Sequence, residues 1–574
     1  MRIYKTFNRF LFLTVAASVL LIFAESCKFQ AKTEEIYTIT KTASGNKGAV
    51  ASAHPLATAV GIDILKKGGN AVDAAIAVQF ALAVCYPGAG NIGGGGFMVV
   101  RSADGSVNTL DYREKAPAAA THDMYLDSLG VPIAEKSLYG HLAAGVPGTV
   151  DGMVQAFEQY SKLKNWDMLV EPAIMLAEKG FRITAREAVN LNEKQEKFVR
   201  YNRKTTAFHG QNWKTGDMIF QKELAKTLLT IKEKGRNGFY EGWVADTIVA
   251  EMNAGGGMIS HEDLKNYTSK WRKPVETNYR GYKIISMPPP SSGGIALAQL
   301  LRMVEPYNLS EMKFHSAEAV HLIAEAERRV YADRAAHLGD PDFYKVPQSI
   351  LTDSNYIAKR MADFNPREAS KSEQIKAGIA ESTETTHYSI VDAEGVAVAV
   401  TTTLNGGYGA FTVVSGAGFI LNNEMDDFSV KPGSPNLYGL VGAEANKIEP
   451  GKRMLSSMTP TIVEKDGKLI MVVGSPGGST IITSVFQTII NYLDFGMSIT
   501  EAVHAPRFHH QWLPDHIRIE PDCFSESTKM VLQSLGHELK ENGSIGRVEA
   551  IVLLNDGTLI AAADIRGDDD AKAY

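Results

Sequence analysis

The sequence predicts an α+β protein built as a four-layered αββα sandwich, with antiparallel sheets packed between layers of helices. Three hairpins carry that prediction: Thr385–Leu404 around Asp392-Ala393-Glu394-Gly395, Thr461–Gly474 around Lys465-Asp466-Gly467, and Val548–Ala562 around Asn555-Asp556-Gly557. Each sets a β-rich run on either side of a short turn. Helical segments separate them, among them a strongly apolar one from Ser479 to Leu493. The chain also has 574 residues, 44% of them hydrophobic and 22% charged, which is ordinary globular composition and enough for a large core. No internal repeat is evident.

The elements follow in order. Arg2, Lys5 and Arg9 precede an apolar run from Phe10 to Ala24, the layout of an export signal and short for a retained membrane helix. Cys27 follows Ala24-Glu25-Ser26, which loosely resembles a bacterial lipoprotein box, although such boxes prefer Leu first and a small residue second. Secretion across the inner membrane into the periplasm and lipid anchoring on the cell envelope both stay open, with residues 1–27 as the signal peptide. Without Cys27, Cys85 and Cys523 remain; nothing in the sequence supports a disulfide between them, and buried free thiols are the expectation.

A polar stretch runs to about Lys47, and Gly68-Gly69-Asn70-Ala71-Val72-Asp73 then opens a small-residue helix toward Cys85, stopped by Pro87. Gly88-Ala89-Gly90-Asn91-Ile92-Gly93 matches GxGxxG literally, but a helix precedes it and a strand, Phe97–Arg101, follows, the reverse of the dinucleotide-binding order. Residues 150–275 read as helical scaffold. A strand at Tyr282–Ser286 leads through Pro288-Pro289-Pro290-Ser291-Ser292-Gly293-Gly294, which lacks the Lys of a phosphate loop, into a helix from Ile295. Between about Pro366 and Glu384 the composition turns to Ser, Lys, Glu and Thr without apolar periodicity, which predicts a mobile, exposed connector. It ends at the strand that begins with Thr385.

With 59 basic and 65 acidic residues the formal charge is -6, giving no basic surplus for phosphates and arguing against a nucleic-acid partner. A connector joined to a buried strand that starts with a hydroxyl residue suits an autocatalytic N-terminal nucleophile. Cutting between Glu384 and Thr385 frees an α-amine whose ordinary pKa, near 8, lets it accept the hydroxyl proton. No cofactor or metal is then required. Taken alone, Thr385-Thr386 would be an ordinary pair of strand threonines.

The context resembles the γ-glutamyltranspeptidase family. Thr385-Thr386-His387-Tyr388-Ser389 is similar to its processing motif, and further motifs recur in family order through Leu404-Asn405, Glu424-Met425-Asp426-Asp427, Arg453-Met454-Leu455-Ser456-Ser457 and Gly474-Ser475-Pro476-Gly477-Gly478. The resemblance implies an N-terminal nucleophile hydrolase fold and a γ-glutamyltransferase and glutathione hydrolase activity. It implies a heterodimer of residues 28–384 and 385–574, with Thr385 as the nucleophile, Thr403 bonded to its hydroxyl, and the Gly477 and Gly478 amides as the oxyanion hole. Arg113, Ser456 and Ser457 would hold the substrate α-carboxylate, and Asn405, Glu424 and Asp427 its ammonium. Tyr438, in Pro432–Gly439, matches a lid that relatives acting on cephalosporins or poly-γ-glutamate often lack. Expected partners are small molecules: glutathione and other γ-glutamyl donors, with water, amino acids or dipeptides as acceptors. An acylase on the same fold and an unprocessed glutamate-binding protein are the rival readings. His509 and His510 are adjacent and diverge in direction, which favours packing over metal ligation.

Overall fold

The computed structural model describes residues 36–375, 384–431 and 444–574. The apolar run before Ala24, Cys27, the lid segment with Tyr438 and residues 376–383 lie outside the described residues. From Ile39 to Tyr574 the chain forms one unit.

Its frame is fourteen strands: β1 (Thr42–Gly45), β2 (Gly48–Ser52), β3 (Gly95–Arg101), β4 (Val107–Asp111), β5 (Lys270–Arg272), β6 (Val275–Tyr279) and β7 (Tyr282–Ser286). After them come β8 (Glu384–Asp392), β9 (Ala397–Asn405), β10 (Thr461–Lys465), β11 (Lys468–Gly474), β12 (Glu549–Leu553), β13 (Leu559–Ala563) and β14 (Asp570–Ala573). They form two seven-stranded sheets, ordered β1-β13-β12-β11-β10-β7-β6 and β14-β2-β8-β9-β3-β4-β5. Every neighbouring pair in both is antiparallel.

Helices α1 (Pro55–Lys66), α2 (Ala71–Cys85) and α3 (Ala185–Tyr201) contribute to the core on the outer face of the second sheet. Helices α4 (Gly293–Val304), α5 (Ala317–His337) and α6 (Thr480–Leu493) do so on the outer face of the first. A third core, rich in alanine, fills the space between the sheets. This is the αββα order that the hairpins and helices predicted.

The two-residue period of a strand explains the layering. In β9, Val398 and Val400 pack toward the helices, while Ala397 and Ala399 face the other sheet. The small inner side chains of β9 leave room for larger ones from the first sheet, such as Ile285, Ile462 and Ile551. In β8 the same alternation sends Ile390 outward and Val391 inward.

Two features were not read from the sequence. The polar stretch before Lys47 contains a strand and the chain's last residues form another: β1 pairs with β13, and β14 with β2. Such pairings join opposite ends of the sequence, so local pattern did not reveal them. The described part of the predicted exposed connector, residues 366–375, is mostly exposed, as expected, but is tied to the body at several points. The Ser370 amide donates to Glu325 Oε1 at 3.0 Å, the Ser372 amide to Asp515 Oδ2 at 2.8 Å, and Trp512 Nε1 to the Ile375 carbonyl at 2.6 Å. Its serine side chains serve too, Ser372 Oγ accepting from Arg328 and Ser370 Oγ from Arg329 at 3.1 Å.

Candidate active site

Thr385 sits at the open end of the β8–β9 hairpin. The register runs Glu384↔Asn405 and then Thr386↔Thr402, so Thr385 faces two residues, Thr403 and Leu404, across a bulge. Bulges re-aim side chains at sheet ends. Here the bulge brings the Thr385 hydroxyl to 3.4 Å from Thr403 Oγ1, with Thr385 donating. Thr403 Oγ1 also accepts the Asn405 amide at 2.7 Å. Both threonines are buried, Thr385 7% and Thr403 1% exposed.

By strand alternation Thr385 shares its face with His387 and Ser389, which point at the other sheet. Ser389 Oγ donates to the Glu549 carbonyl on β12 at 3.0 Å. The His387 ring lies under Gly474, where an added Cβ would fall 2.2 Å from Cε1, so only glycine lets β11 pass. Burial pushes His387 down to about 3, and both its nitrogens are engaged, by Thr401 Oγ1 at 2.9 Å and Ser389 Oγ at 3.1 Å. This histidine is therefore neutral and occupied, and unsuited to deprotonate Thr385.

Beyond Gly474, β11 turns through Gly477 (φ 130°) and Gly478 (φ 57°) into α6. Both φ values lie in the region that favours glycine. The Gly477 carbonyl accepts the Thr480 amide at 3.1 Å and the Gly478 carbonyl the Ile481 amide at 3.1 Å. None of these bonds uses the Gly477 or Gly478 amide. The second sheet thus delivers the hydroxyl and the first sheet a glycine turn at a helix N-terminus, a setting in which amides can face developing negative charge.

The remaining predicted residues form a buried ionic cluster. Arg113 follows β4, and its amide is held by Asp111 Oδ1 at 3.0 Å. Its guanidinium donates to Glu424, Asp427 and the Leu455 carbonyl, with Glu114 at 3.7 Å. Asn405 (φ 73°) links this cluster to the threonines, donating from Nδ2 to the Asn423 carbonyl at 3.0 Å. Three carboxylates around one guanidinium leave surplus acid. Burial pushes Glu114 up to about 8, against the pull of Arg113, and raises Glu424 for the same reason. Among the described residues both Glu114 oxygens, Glu424 Oε2 and Ser457 Oγ are buried without hydrogen-bond partners. Ser456 Oγ accepts the Met458 amide at 3.2 Å. Arg113 is thus engaged by the two carboxylates expected to hold the ammonium, and the groups left open are the Glu114 carboxyl, Glu424 Oε2 and the Ser457 hydroxyl, which suit the polar head of a ligand.

Comparison with known proteins agrees with this geometry. The family model described as Gamma-glutamyltranspeptidase matches residues 57–574. The chain belongs to the γ-glutamyltranspeptidase family. The glutathione hydrolase proenzyme of Pseudomonas sp. (strain A14) is 49% identical over 511 residues, 88% of this chain and 89% of that protein. The glutathione hydrolase proenzyme of Escherichia coli (strain K12) is 48% identical over 534 residues, 92% of each. A crystal structure of cephalosporin acylase from Bacillus halodurans has a TM-score of 0.82, covering 95% of this chain and 99% of its own, at 25% identity.

For a γ-glutamyltranspeptidase, one feature beside Thr385 escaped the sequence. A cleft of about 420 Å³ is lined by Thr385, Gly477, four arginines, Arg186, Arg518, Arg547 and Arg566, and two acids, Glu187 and Asp568. The arginines come from distant parts of the chain and form no motif. The histidines flagged in the sequence are packed: His509 contacts Thr483 Oγ1 at 2.9 Å and His510 contacts Asp515 at 3.3 Å. Cys85 and Cys523 are free and buried.

A second cluster, His321, Glu325 and His537, has ligand atoms close enough for a metal ion. Its groups already satisfy one another. His321 Nε2 donates to the Asn365 carbonyl at 2.8 Å, which leaves Nδ1 to accept from His537 Nε2 at 2.7 Å. Burial would raise the Glu325 carboxyl, but Arg328, Ser370 and Arg329 together hold it at about 2. Two guanidiniums on the only carboxylate disfavour a further cation. Among the described residues no helix is long and apolar enough to cross a membrane.

Proposed function

We propose that the protein is a self-processing glutathione hydrolase and γ-glutamyltransferase with Thr385 as its nucleophile. The observation that supports this reading most is the bulge at the head of β8, which aims the Thr385 hydroxyl at Thr403 beside the Gly477–Gly478 turn without a usable side-chain base. In maturation the Thr385 hydroxyl attacks the Glu384 carbonyl, the peptide becomes an ester, and water releases it. The products are residues 28–384 and 385–574, the second with a free α-amine on Thr385.

In catalysis that amine takes the hydroxyl proton as Oγ1 attacks the γ-carbonyl carbon of the donor. The amides of Gly477 and Gly478 hold the oxyanion, a role worth about 2.7–4 kcal/mol per donor in comparable sites. The amine leaving group departs with the proton, and water or an acceptor amine resolves the γ-glutamyl ester. The Arg113 cluster, with Asn405, Glu424, Asp427, Ser456 and Ser457, grips the amino acid head of the donor, and the family resemblance assigns the lid role to Tyr438. Export by the N-terminal signal places the enzyme in the periplasm or, where cleavage falls before Cys27 and that residue stays on the mature chain and is lipidated, on the envelope.

The 25% identical acylase shares the fold, so the fold alone does not choose the substrate. The buried polar cluster at Arg113 supports the γ-glutamyl class. Intact mass spectrometry of the wild type should find the fragment 385–574. Thr385→Ala should give one uncleaved chain without γ-glutamyl-p-nitroanilide hydrolysis. Cleavage of that variant at the same bond would refute the autocatalytic step.

A further inference from the structure

The cleft of about 420 Å³ reaches Thr385 but is lined by none of Arg113, Asn405, Glu424 or Asp427, the residues assigned to the glutamyl head. A γ-amide bond held at Thr385 has two ends. If the amino acid head occupies the Arg113 cluster, the other half must leave from a separate space, and an acceptor must enter through one. The cleft borders both Thr385 and Gly477, and its volume falls in the small-ligand range of roughly 300–1,000 Å³.

Its four arginines are not equivalent. Arg547 is committed to Asp569 at 2.6 Å and to the Tyr86 hydroxyl, and Arg566 to Glu520 and Asp564. Arg186 is exposed. Arg518 is half-buried and, among the described residues, has no ion-pair partner, and its Nε is buried without an acceptor. It sits on the short strand Ile517–Ile519, whose flanking isoleucines point into the α4–α6 core, so alternation turns Arg518 to the opposite side, where it lines the cleft. A half-buried guanidinium whose Nε is enclosed without an acceptor suits a carboxylate ligand, which it can bind through paired hydrogen bonds.

We propose that this cleft is the subsite for the second half of the reaction, and that Arg518 binds the C-terminal carboxylate of the departing peptide and of an amino acid or dipeptide acceptor. The proposal rests on the γ-glutamyltransferase reading given above and adds to it a specificity residue for the acceptor.

The test compares glycylglycine with glycylglycine amide as acceptors of the γ-glutamyl group from γ-glutamyl-p-nitroanilide, in the processed wild type, Arg518→Gln and Arg518→Lys. Each rate is taken relative to the same protein's own anilide hydrolysis, which normalises for folding and maturation. The wild type should favour the free carboxylate by at least about 10-fold in kcat/KM, as expected for a charge-assisted hydrogen bond. Arg518→Gln should abolish that preference through KM, and Arg518→Lys should restore part of it. Turnover with the preference absent from the wild type, or intact in Arg518→Gln, would overturn this proposal alone. No anilide turnover in the wild type would overturn the γ-glutamyltransferase reading and this proposal with it.

Discussion

Thr403 Oγ1 meets the Thr385 hydroxyl at 3.4 Å and accepts the Asn405 amide at 2.7 Å. Thr403→Val keeps the shape and removes the oxygen. The buried Asn405 amide then loses its acceptor, at a cost of about 1–3 kcal/mol, and the nucleophile loses its neighbour. We expect kcat for γ-glutamyl-p-nitroanilide to fall roughly 10- to 100-fold, with KM much less affected and Thr403→Ser retaining most of the activity. An unchanged kcat in the valine variant would remove Thr403 from the machinery. Single residues of this kind were legible in the sequence because strand position and motif identify them. Their partners were not. That Arg113 is held by Glu424 and Asp427, more than 300 positions away, depends on how two sheets and a loop meet. The Arg518 cleft left no local signal, since its lining is scattered along the chain.

Elements were legible where local chemistry dominates. The three hairpins fall where turn residues and alternating runs placed them, as β8–β9, β10–β11 and β12–β13. The edge strands β1 and β14 are only four residues long and owe their form to distant partners, which is why they were missed. Helix α3 illustrates what element packing does to charge. Thr184 and Glu187 form its capping box, with the Thr184 amide donating to Glu187 Oε2 at 2.7 Å. Burial nevertheless pushes the Glu187 carboxyl from 4.5 up to about 8. A carboxyl whose folded pKa is raised holds its proton more tightly in the native state. Its contribution to stability is therefore complete below pH 4.5 and is lost as pH rises through 8. Glu187→Gln keeps an acceptor for the Thr184 amide and removes this titration. The difference in melting temperature between pH 5 and pH 9 should be smaller in that variant than in the wild type. An equal or larger difference would show that Glu187 is ionised in the native protein at neutral pH.

At the scale of the molecule, a cut before Thr385 divides a frame that both products build. The first segment supplies β2, β3, β4 and β5 to one sheet and β1, β6 and β7 to the other; the second segment supplies the remaining strands. Strand β8 is paired with β2 on one side, and β9 with β3 along seven residue pairs from Ala397↔Arg101 to Thr403↔Gly95. The last strand, β14, returns to β2. Pulling the segments apart would break ladders in both sheets and open the alanine-lined core between them, which draws on Ala49, Ala51 and Val99 from one segment and Ala397, Ala399 and Val472 from the other. One peptide bond is lost at the cut, whereas separation would expose several cores at once, and cooperative unfolding follows from that shared burial. The two mature chains should therefore stay together through dilution and gel filtration without a covalent link, and calorimetry of the processed enzyme should show one transition. Two resolved transitions, or a free 385–574 chain that keeps its structure, would mean that the segments are independent domains and that the interleaved sheets do not hold the mature enzyme together.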